Sequence, residues 1–203
     1  MRWNDLQKGE VMDTVKTQRG KKVVEHQNKY FYVYSQEVDF GSFSKKYYVA
    51  QFGTKACLLI LNHNSVLLVR QYRFLVDRPV WEIPGGKVEE NENPAVSAVR
   101  ECEEETGIRG LNVKPLIYYP LGLDCISAGS QLFYTSEFEC IKKFTPNPME
   151  VDMIKWVPFN ECMEMIKSGE ILDQCSIIAL LYYQNLKNAG QTPYKDNEVK
   201  NGI

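Results

Sequence analysis

The sequence has few histidines and no excess of basic residues, and these two shortages narrow the functions open to it. Only two of its 203 residues are histidine, and the formal net charge is −2. A protein with an extended nucleic-acid surface usually carries a basic excess, so we expect no nucleic-acid partner. Neither His26 nor His63 lies in a motif, and we assign no catalysis to them.

The cysteine pattern also lacks the usual signs of a metal or disulfide framework. Six cysteines are present, but none forms a Cys-x-x-Cys pair or shows zinc-ligand spacing. We therefore expect buried free thiols in a reducing compartment. No signal peptide begins at Met1, and no apolar run approaches the roughly 18 residues of a membrane span. The expected protein is soluble and cytoplasmic, with no membrane partner.

Strand-forming segments occupy much of the chain. Residues 22–25, 29–35 and 45–52 are rich in β-branched and aromatic residues, which is typical of strands. Residues 55–61 form a continuous apolar run, as expected for a strand buried on both faces. Further strands are predicted at 65–73, 80–84, 111–115, 131–139 and 153–158, and further helices at 160–167 and 174–187.

Residues 86–108 combine a glycine loop with a short helix that is rich in carboxylates. Asn93 suits the cap position, and Pro94 suits the first helical position because its missing N–H would be unpaired there. Gly107 suits the left-handed residue that ends a helix. The sequence therefore predicts a helix from Pro94 to Thr106.

Helical periodicity sorts the carboxylates of this predicted helix onto different faces. Glu101, Glu104 and Glu105 fall together within about 100° of arc, bordered by Arg100, whereas Glu103 points elsewhere. The opposite face is predicted to be buried and holds Ala95, Val99, Cys102 and Thr106.

Such an acidic face is unfavourable for an isolated helix. Like charges three or four residues apart repel one another, and acidic groups near a helix C-terminus oppose the macrodipole. A bound divalent cation would remove both penalties, since hard cations take oxygen ligands. The other interpretation is an acidic face exposed to solvent.

The spacing of these residues resembles the Nudix box of the Nudix hydrolases. The matching positions are Gly86, Glu92 and the run Arg100-Glu-Cys-Glu-Glu-Glu-Thr-Gly-Ile108. One residue departs mildly, because Cys102 stands where the family prefers Ile, Leu or Val. The resemblance implies an α+β fold, an α/β/α sandwich with a mixed sheet between helices, preceded by an antiparallel β segment.

The resemblance also implies a reaction and a set of site residues. Such enzymes hydrolyse a nucleoside-linked diphosphate by water attack with divalent metals, so we expect Mg²⁺, with Mn²⁺ as an alternative. Glu101, Glu105 and the carbonyl of Gly85 match metal ligands, and Glu104 matches a further ligand or water-holding residue. Arg100 matches the residue that orients the glutamates, and Glu92 matches one that braces the loop.

Features outside the box resemble the ADP-ribose pyrophosphatase and nucleoside diphosphate sugar branch of the family. They are Arg70-Gln-Tyr-Arg73 leading into Trp81–Gly86, the segment 168–181, and the aromatic N-terminal segment. In this branch Arg73 matches an arginine at the diphosphate, although a surface salt bridge is the alternative. Glu82 matches a position near the metal site, or one that braces the glycine loop.

The sequence offers three candidates for the general base. The branch uses a loop glutamate ahead of the last strand, and Glu150 stands at that position. The alternatives are Asp152 and a metal-bound water deprotonated by a box glutamate.

One departure weakens ADP-ribose as the particular substrate. Many ADP-ribose pyrophosphatases carry a proline about 15 residues beyond the box, where this sequence has Leu123. Another nucleoside diphosphate sugar is therefore open. The alternative functions are hydrolysis of a dinucleoside polyphosphate or oxidised triphosphate, and a sensor that binds such ligands without cleaving them.

The resemblance suggests three segments and a dimer. Residues 1–50 are predicted to form a β-rich segment that pairs or swaps between two subunits, since exposed aromatic strand edges favour a covering partner. Residues 51–188 are predicted to form the Nudix hydrolase domain, and 189–203 a flexible tail. The expected partners are a nucleotide-sugar substrate and a second copy of the chain.

Overall fold

The computed structural model describes residues 16–141, 147 and 150–190, and their fold belongs to the predicted α+β class. The described elements, in chain order, are β1 (Gln18–Arg19), β2 (Val23–Gln27), β3 (Tyr32–Asp39), β4 (Ser44–Asn62), β5 (Ser65–Arg73), β6 (Arg78–Glu82), β7 (Gly85–Lys87), α1 (Pro94–Thr106), β8 (Ile108–Leu111), β9 (Lys114–Pro120), β10 (Ile126–Thr135), β11 (Glu137–Cys140), β12 (Met153–Pro158), α2 (Phe159–Ser168) and α3 (Gln174–Asn188).

The chain divides into two compact units. The smaller unit lies within Met1–Phe52 and includes Gly122–Ser127; the larger lies within Gly53–Leu121 and Ala128–Ile203. In the smaller unit β3 pairs antiparallel with β1, with β2 and with the first part of β4. Lysine side chains lie over tyrosine rings there, as Lys22 does over Tyr34.

Strand β4 is one continuous strand of 19 residues, so the prediction of two separate strands at 45–52 and 55–61 was wrong. Gly53 lies between the two predicted strands, but it does not adopt a positive φ. The backbone therefore stays extended from the aromatic segment into the apolar run.

The larger unit is built around the apolar end of β4. Strand β5 pairs antiparallel with β4, β6 and β12, and β7 pairs antiparallel with β4. Alternate side chains point to opposite faces of a strand. Accordingly, Leu58 and Ile60 pack in the cluster that includes Cys102 of α1, while Leu59 packs in the cluster that includes Leu180 of α3. Helices therefore cover both faces of the sheet, as the predicted sandwich requires.

Helix α1 begins and ends where its capping residues predict. The Asn93 side chain accepts a hydrogen bond from the Ala95 N–H at 2.8 Å, and Gly107 adopts a left-handed φ of 68°. The predicted buried face was partly wrong. Cys102 and Thr106 are buried, but Ser97 and Ala98 are the other buried residues, because these small side chains face the sheet. Ala95 and Val99 are only partly buried.

The later elements depart from the predictions in two places. The single strand predicted at 131–139 is instead two strands, β10 and β11, which are divided at Ser136. The strand predicted at 111–115 is instead two strands, β8 and β9, because Asn112 has a positive φ of 47° that interrupts the extended backbone. Strand β8 then pairs with β11 in a separate two-stranded sheet. Helices α2 and α3 match their predicted ranges to within one residue at each end.

Two further predictions can be set against the described residues. All six cysteines are free, and four of them are buried; the exposed ones are Cys125 and Cys140. None of the helices that the structure describes combines the length and apolar character needed to span a membrane. The predicted tail at 189–203 lies outside the described residues from 191 onward.

Candidate active site

The glycine loop approaches its neighbours too closely for side chains. In β7, Gly85 pairs with Cys57 and Gly86 pairs with Ala56 of β4. A Cβ atom at Gly85 would lie 2.5 Å from the Ala56 carbonyl oxygen, and one at Gly86 would overlap the Glu101 carboxylate. Glycine at these positions therefore lets the loop lie directly against the acidic face of α1.

Glu105 connects α1 to this loop. Its Oε2 accepts a hydrogen bond from the Gly85 N–H at 3.0 Å, and its Oε1 accepts one from the Gln71 side-chain amide at 2.5 Å. Burial raises the pKa of Glu105 to about 7, although both hydrogen bonds favour the charged form. The site therefore holds a carboxylate for which ionisation is unfavourable without a nearby cation.

Arg100 connects the remaining glutamates of the site. Its Nε donates to Glu92 at 2.9 Å, and one terminal nitrogen donates to both Glu101 at 2.9 Å and Glu104 at 3.1 Å. Its other terminal nitrogen donates to the Lys87 carbonyl at 3.2 Å. Hydrogen bonds from Arg100 are the main cause that lowers the pKa of Glu92 to about 2. A guanidinium suits this position because its donors diverge in a fixed plane.

Glu103 has different partners from the other glutamates of the helix. Its carboxylate forms a bidentate ion pair with Arg109, at 2.8 and 3.0 Å. This geometry agrees with the separation of Glu103 from the other glutamates by helical periodicity.

Arg73 and Glu82 form a bidentate ion pair across β5 and β6. Both hydrogen bonds, from Nε and from a terminal nitrogen, are 2.5 Å long. The Glu82 side chain is only 4% exposed, whereas that of Arg73 is 42% exposed. The guanidinium therefore keeps an accessible side, and the role of Arg73 at a diphosphate stays a prediction.

A cavity of about 910 Å³ is lined by Arg100, Glu104 and Glu150. Glu103 also lines it, with an apolar wall that includes Val96 and Val99 of α1. The helix and the predicted loop glutamate thus face the same space.

Asp152, the alternative base, has a fixed partner. Its carboxylate accepts two hydrogen bonds from Arg70, at 2.9 and 3.2 Å. Because this ion pair restrains the position of its side chain, Asp152 is the weaker choice of base.

Three residues near this site had no role in the sequence interpretation. Gln71 lies in the Arg70-Gln-Tyr-Arg73 motif, but its contact with Glu105 depends on how β5 packs near α1, which is far from it in the sequence. Asp173 caps α3 by accepting a hydrogen bond from the Ser176 N–H at 3.0 Å, and burial raises the pKa of Asp173 to about 6. An aspartate before an apolar helical run is a recognisable cap signal. Lys55, at the start of an apolar run, carried no such signal.

The acidic residues fit a hard divalent cation in chemical kind, because such cations prefer oxygen ligands. Glu101, Glu104 and Glu105 present carboxylates from one helix, next to the Gly85 loop, and burial raises the pKa of both Glu101 and Glu105. Their rotamers do not converge on one point, however. Within residues 16–141, 147 and 150–190, no group of three or more His, Cys, Asp or Glu side chains is arranged to hold an ion. Glu101 and Glu104 each contact Arg100 through one carboxylate oxygen.

Comparison with known proteins agrees with this geometry. The model of the NUDIX domain matches residues 52–175. A CMP-5'-(N-acetyl-N-hydroxy-3-aminopropyl)phosphonate hydrolase from Streptomyces rubellomurinus is 29% identical over 177 residues, which cover 86% of this chain and 85% of the relative. An ADP-ribose pyrophosphatase from Bacillus subtilis is 28% identical over 161 residues, covering 79% and 86% of the two chains.

Solved structures show the same fold. A crystal structure of an ADP compounds hydrolase superposes with a TM-score of 0.74 at 15% identity, and the match covers 87% of this chain and 97% of the other. The fold and the site define a hydrolase of a class that generally uses divalent metal ions. This chain belongs to the Nudix hydrolase family.

Proposed function

We propose that this enzyme hydrolyses the diphosphate bond of a nucleoside diphosphate sugar, in a reaction that depends on Mg²⁺. The products are a nucleoside monophosphate and a sugar phosphate. One observation carries this proposal: the acidic face of α1 contacts the glycine loop, and the Gly85 N–H donates a hydrogen bond to Glu105 there.

The metal ligands in this proposal are Glu101, Glu104, Glu105 and the carbonyl of Gly85, with Mn²⁺ as the alternative to Mg²⁺. When bound, such ions neutralise a diphosphate and lower the pKa of a coordinated water. Arg100 keeps Glu101 and Glu104 on the site surface through the hydrogen bonds described above. A hard cation also relieves the unfavourable ionisation of the buried Glu105 carboxylate.

Two residues act directly on the substrate in this proposal. Arg73 uses its exposed side to bind a diphosphate oxygen, since a guanidinium can donate in parallel to phosphate. Glu150 accepts the proton of the attacking water, as its place on the cavity of Arg100 and Glu104 allows. Glu82 holds Arg73 in position through the paired hydrogen bonds.

The names of the relatives support a nucleotide-linked substrate and leave its base open. One is named for ADP-ribose and another for a CMP-linked phosphonate. Leu123 stands where many ADP-ribose pyrophosphatases have proline, so GDP-mannose and ADP-glucose are tested beside ADP-ribose. Homodimer formation through the β-rich segment 1–50, the domain boundaries at 50 and 188, and the cytoplasmic location stay predictions.

A panel of nucleoside diphosphate sugars tests this function. Each compound is incubated with the full-length enzyme and Mg²⁺, and the products are separated by chromatography. We expect at least one member to yield a nucleoside monophosphate and a sugar phosphate in equal amounts. Dinucleoside polyphosphates and oxidised triphosphates are incubated in the same way, and cleavage of these compounds alone would support the alternative hydrolase function. Tight binding of a panel member without cleavage would support a sensor.

A further inference from the structure

Ser176, in the first turn of α3, binds the backbone that leads into the glycine loop. Its Oγ accepts a hydrogen bond from the Ile83 N–H at 2.7 Å, although the two residues are 93 positions apart in the sequence. The Ser176 side chain is buried. Because Ile83 lies two residues before Gly85, a side chain of α3 holds the chain just ahead of the glycine loop.

This hydrogen bond lies on the edge of β6 that faces away from β5. Strand β6 pairs with β5 along one edge. Along the other edge, the Trp81 N–H donates to the Glu170 carbonyl at 2.9 Å, and the Ile83 N–H donates to Ser176. Backbone groups alternate between the two edges of a strand, so residues 81 and 83 present their N–H groups on the same side. Ser176 thus supplies the acceptor that a buried N–H group requires.

The position of Ser176 is itself fixed by its helix. Its N–H donates to the Asp173 carboxylate at 3.0 Å, which is the capping bond of α3. Ile83 and Leu180 of α3 pack in the same buried cluster, so the helix cannot easily shift along β6. The Ser176 hydroxyl is therefore a rigid point of attachment for Ile83.

The two residues after Ile83 are also bound, each to a different element. The Pro84 carbonyl accepts a hydrogen bond from the Leu58 N–H of β4 at 3.0 Å, and the Gly85 N–H donates to Glu105 of α1 at 3.0 Å. The bond of Pro84 joins two backbone groups, and the bond of Gly85 involves the acidic face itself. Ser176 is thus a side-chain attachment of the loop that lies outside the acidic face.

We propose that Ser176 is a positioning residue, whose bond to Ile83 holds Gly85 in the place from which its N–H binds Glu105 and its carbonyl is proposed to bind a metal ion. The inference rests on the proposed function, which makes that carbonyl a metal ligand. Loss of a residue that holds a metal ligand in place typically lowers metal affinity by about 10–100-fold. Helix α3 thereby contributes to the metal site from the face of the sheet opposite α1.

The test measures Mg²⁺ binding to the full-length protein by calorimetry, without substrate. Ser176→Ala removes the acceptor of the Ile83 N–H, and we expect the Mg²⁺ affinity to fall by about ten- to a hundredfold. Ser176→Thr keeps a hydroxyl at the same position and should retain most of the affinity. Recovery in Ser176→Thr would show that the hydroxyl, and not the volume of the side chain, is required.

Thr135 provides the matched control, because it is another buried hydroxyl that accepts a backbone hydrogen bond. Its Oγ1 binds the Glu137 N–H at 3.0 Å, where β10 leads into β11. Thr135→Val and Ser176→Ala should both lower the unfolding temperature, since each leaves a backbone N–H unpaired. Only Ser176→Ala should weaken Mg²⁺ binding. Equal losses of Mg²⁺ affinity in the two variants, or no loss in Ser176→Ala, would contradict the positioning role.

A second measurement uses the wild type and so does not depend on a variant that folds. Amide hydrogen exchange is followed by NMR in EDTA and in Mg²⁺. If the Ile83 bond favours metal binding, then metal binding must favour the Ile83 bond to the same extent. We expect Mg²⁺ to slow exchange at Ile83 and Gly85 severalfold relative to Glu137. Slowing at Gly85 alone, or equal slowing at all three amides, would contradict the role of Ser176.

The two proposals can fail separately, because neither measurement uses a substrate. Weaker Mg²⁺ binding by Ser176→Ala, with no hydrolysis of any panel compound by the wild type, would support the role of Ser176 and contradict the proposed function. Mg²⁺-dependent hydrolysis by the wild type, with equal Mg²⁺ affinity in the wild type and Ser176→Ala, would support the function and contradict the role of Ser176.

Discussion

The backbone N–H of Gly85 donates a hydrogen bond to Oε2 of Glu105 over 3.0 Å. This bond joins the glycine loop to the last turn of α1, so the loop backbone and the acidic face form one site. The Glu105 carboxylate is also partly withdrawn from water, and this burial raises its pKa to about 7.

The raised pKa of Glu105 predicts a pH-dependent stability in the absence of metal. Between the ordinary pKa of 4.5 and about 7, the folded state binds the Glu105 proton more tightly than the unfolded state does. Stability should therefore fall as the pH rises through this window, by about 3 kcal/mol at most. Glu105→Gln should lack this component. Urea unfolding of both proteins in EDTA from pH 4.5 to pH 8 measures the difference.

Metal addition provides the matching control for this prediction. Mg²⁺ should raise the unfolding temperature of the wild type at pH 8, since a ligand that binds only the folded state stabilises it. The same addition to Glu105→Gln should give a much smaller rise. Parallel pH profiles for the two proteins, with equal responses to Mg²⁺, would show that Glu105 is not the titrating ligand.

Arg100→Lys should impair the site although it preserves the charge. A lysine cannot bind Glu92, Glu101 and Glu104 together as the Arg100 guanidinium does. We expect kcat/KM to fall by about ten- to a hundredfold, as for losing hydrogen bonds between charged groups. The apparent Mg²⁺ affinity, measured in the same titration, should also decrease.

Arg109→Lys is the matched control for this substitution. Arg109 binds Glu103 and Glu139, both away from the Arg100 network. Its replacement should leave kcat/KM within about twofold, because exposed ion pairs contribute little. An equal loss of activity in both variants would contradict the orienting role of Arg100.

The Arg73–Glu82 pair should show strong coupling in a double-mutant cycle. Arg73→Ala leaves the nearly buried Glu82 carboxylate without its partner and should lower the free energy of unfolding by about 2 kcal/mol, since such a charge is left uncompensated. The double variant Arg73→Ala/Glu82→Ala should be less destabilised than the sum of the single variants. Urea unfolding of the four proteins gives the coupling energy.

The Arg70–Asp152 pair offers a comparison of similar geometry in a more exposed place. Its two side chains are 32% and 41% exposed, so water screens the interaction. Its cycle should give a coupling energy below about 1 kcal/mol. Additive effects at Arg73 and Glu82 would show that their ion pair does not hold the substrate-facing guanidinium in place.

Glu150 and Asp152 should differ as candidate bases. If Glu150 accepts the proton from water, Glu150→Gln will lower kcat by about 10²–10⁴-fold, the usual contribution of general base catalysis. KM should change little. Asp152→Asn should have a small effect on kcat, because it removes only the exposed pair with Arg70. A large loss of kcat in Asp152→Asn, without one in Glu150→Gln, would assign the role of general base to Asp152 instead of Glu150.

Local signals in the sequence were enough to predict α1 and its acidic face. Asn93, Pro94 and Gly107 act on their immediate neighbours, so the observed helix begins and ends as predicted. Glu103 separates from the other glutamates because the helical repeat fixes side-chain directions. The continuous β4 could not be predicted, since its continuity depends on pairing partners elsewhere in the chain.

Contacts between residues that lie far apart in the sequence could not be predicted from local sequence patterns. Gln71 and Glu105 are 34 residues apart, and their hydrogen bond depends on how β5 packs near α1. Arg73 and Glu82 were both noted for their places in the motif, but their mutual ion pair follows from the register of β5 against β6.

The most direct test of the account is turnover of a panel substrate with and without Mg²⁺ by four proteins. They are the wild type and the variants Glu104→Gln, Glu105→Gln and Glu103→Gln. We expect Mg²⁺-dependent formation of nucleoside monophosphate and sugar phosphate by the wild type and by Glu103→Gln, and a loss of several orders of magnitude in the other two. Equal losses in all three variants, or no cleavage of any nucleoside diphosphate sugar by the wild type, would contradict the account.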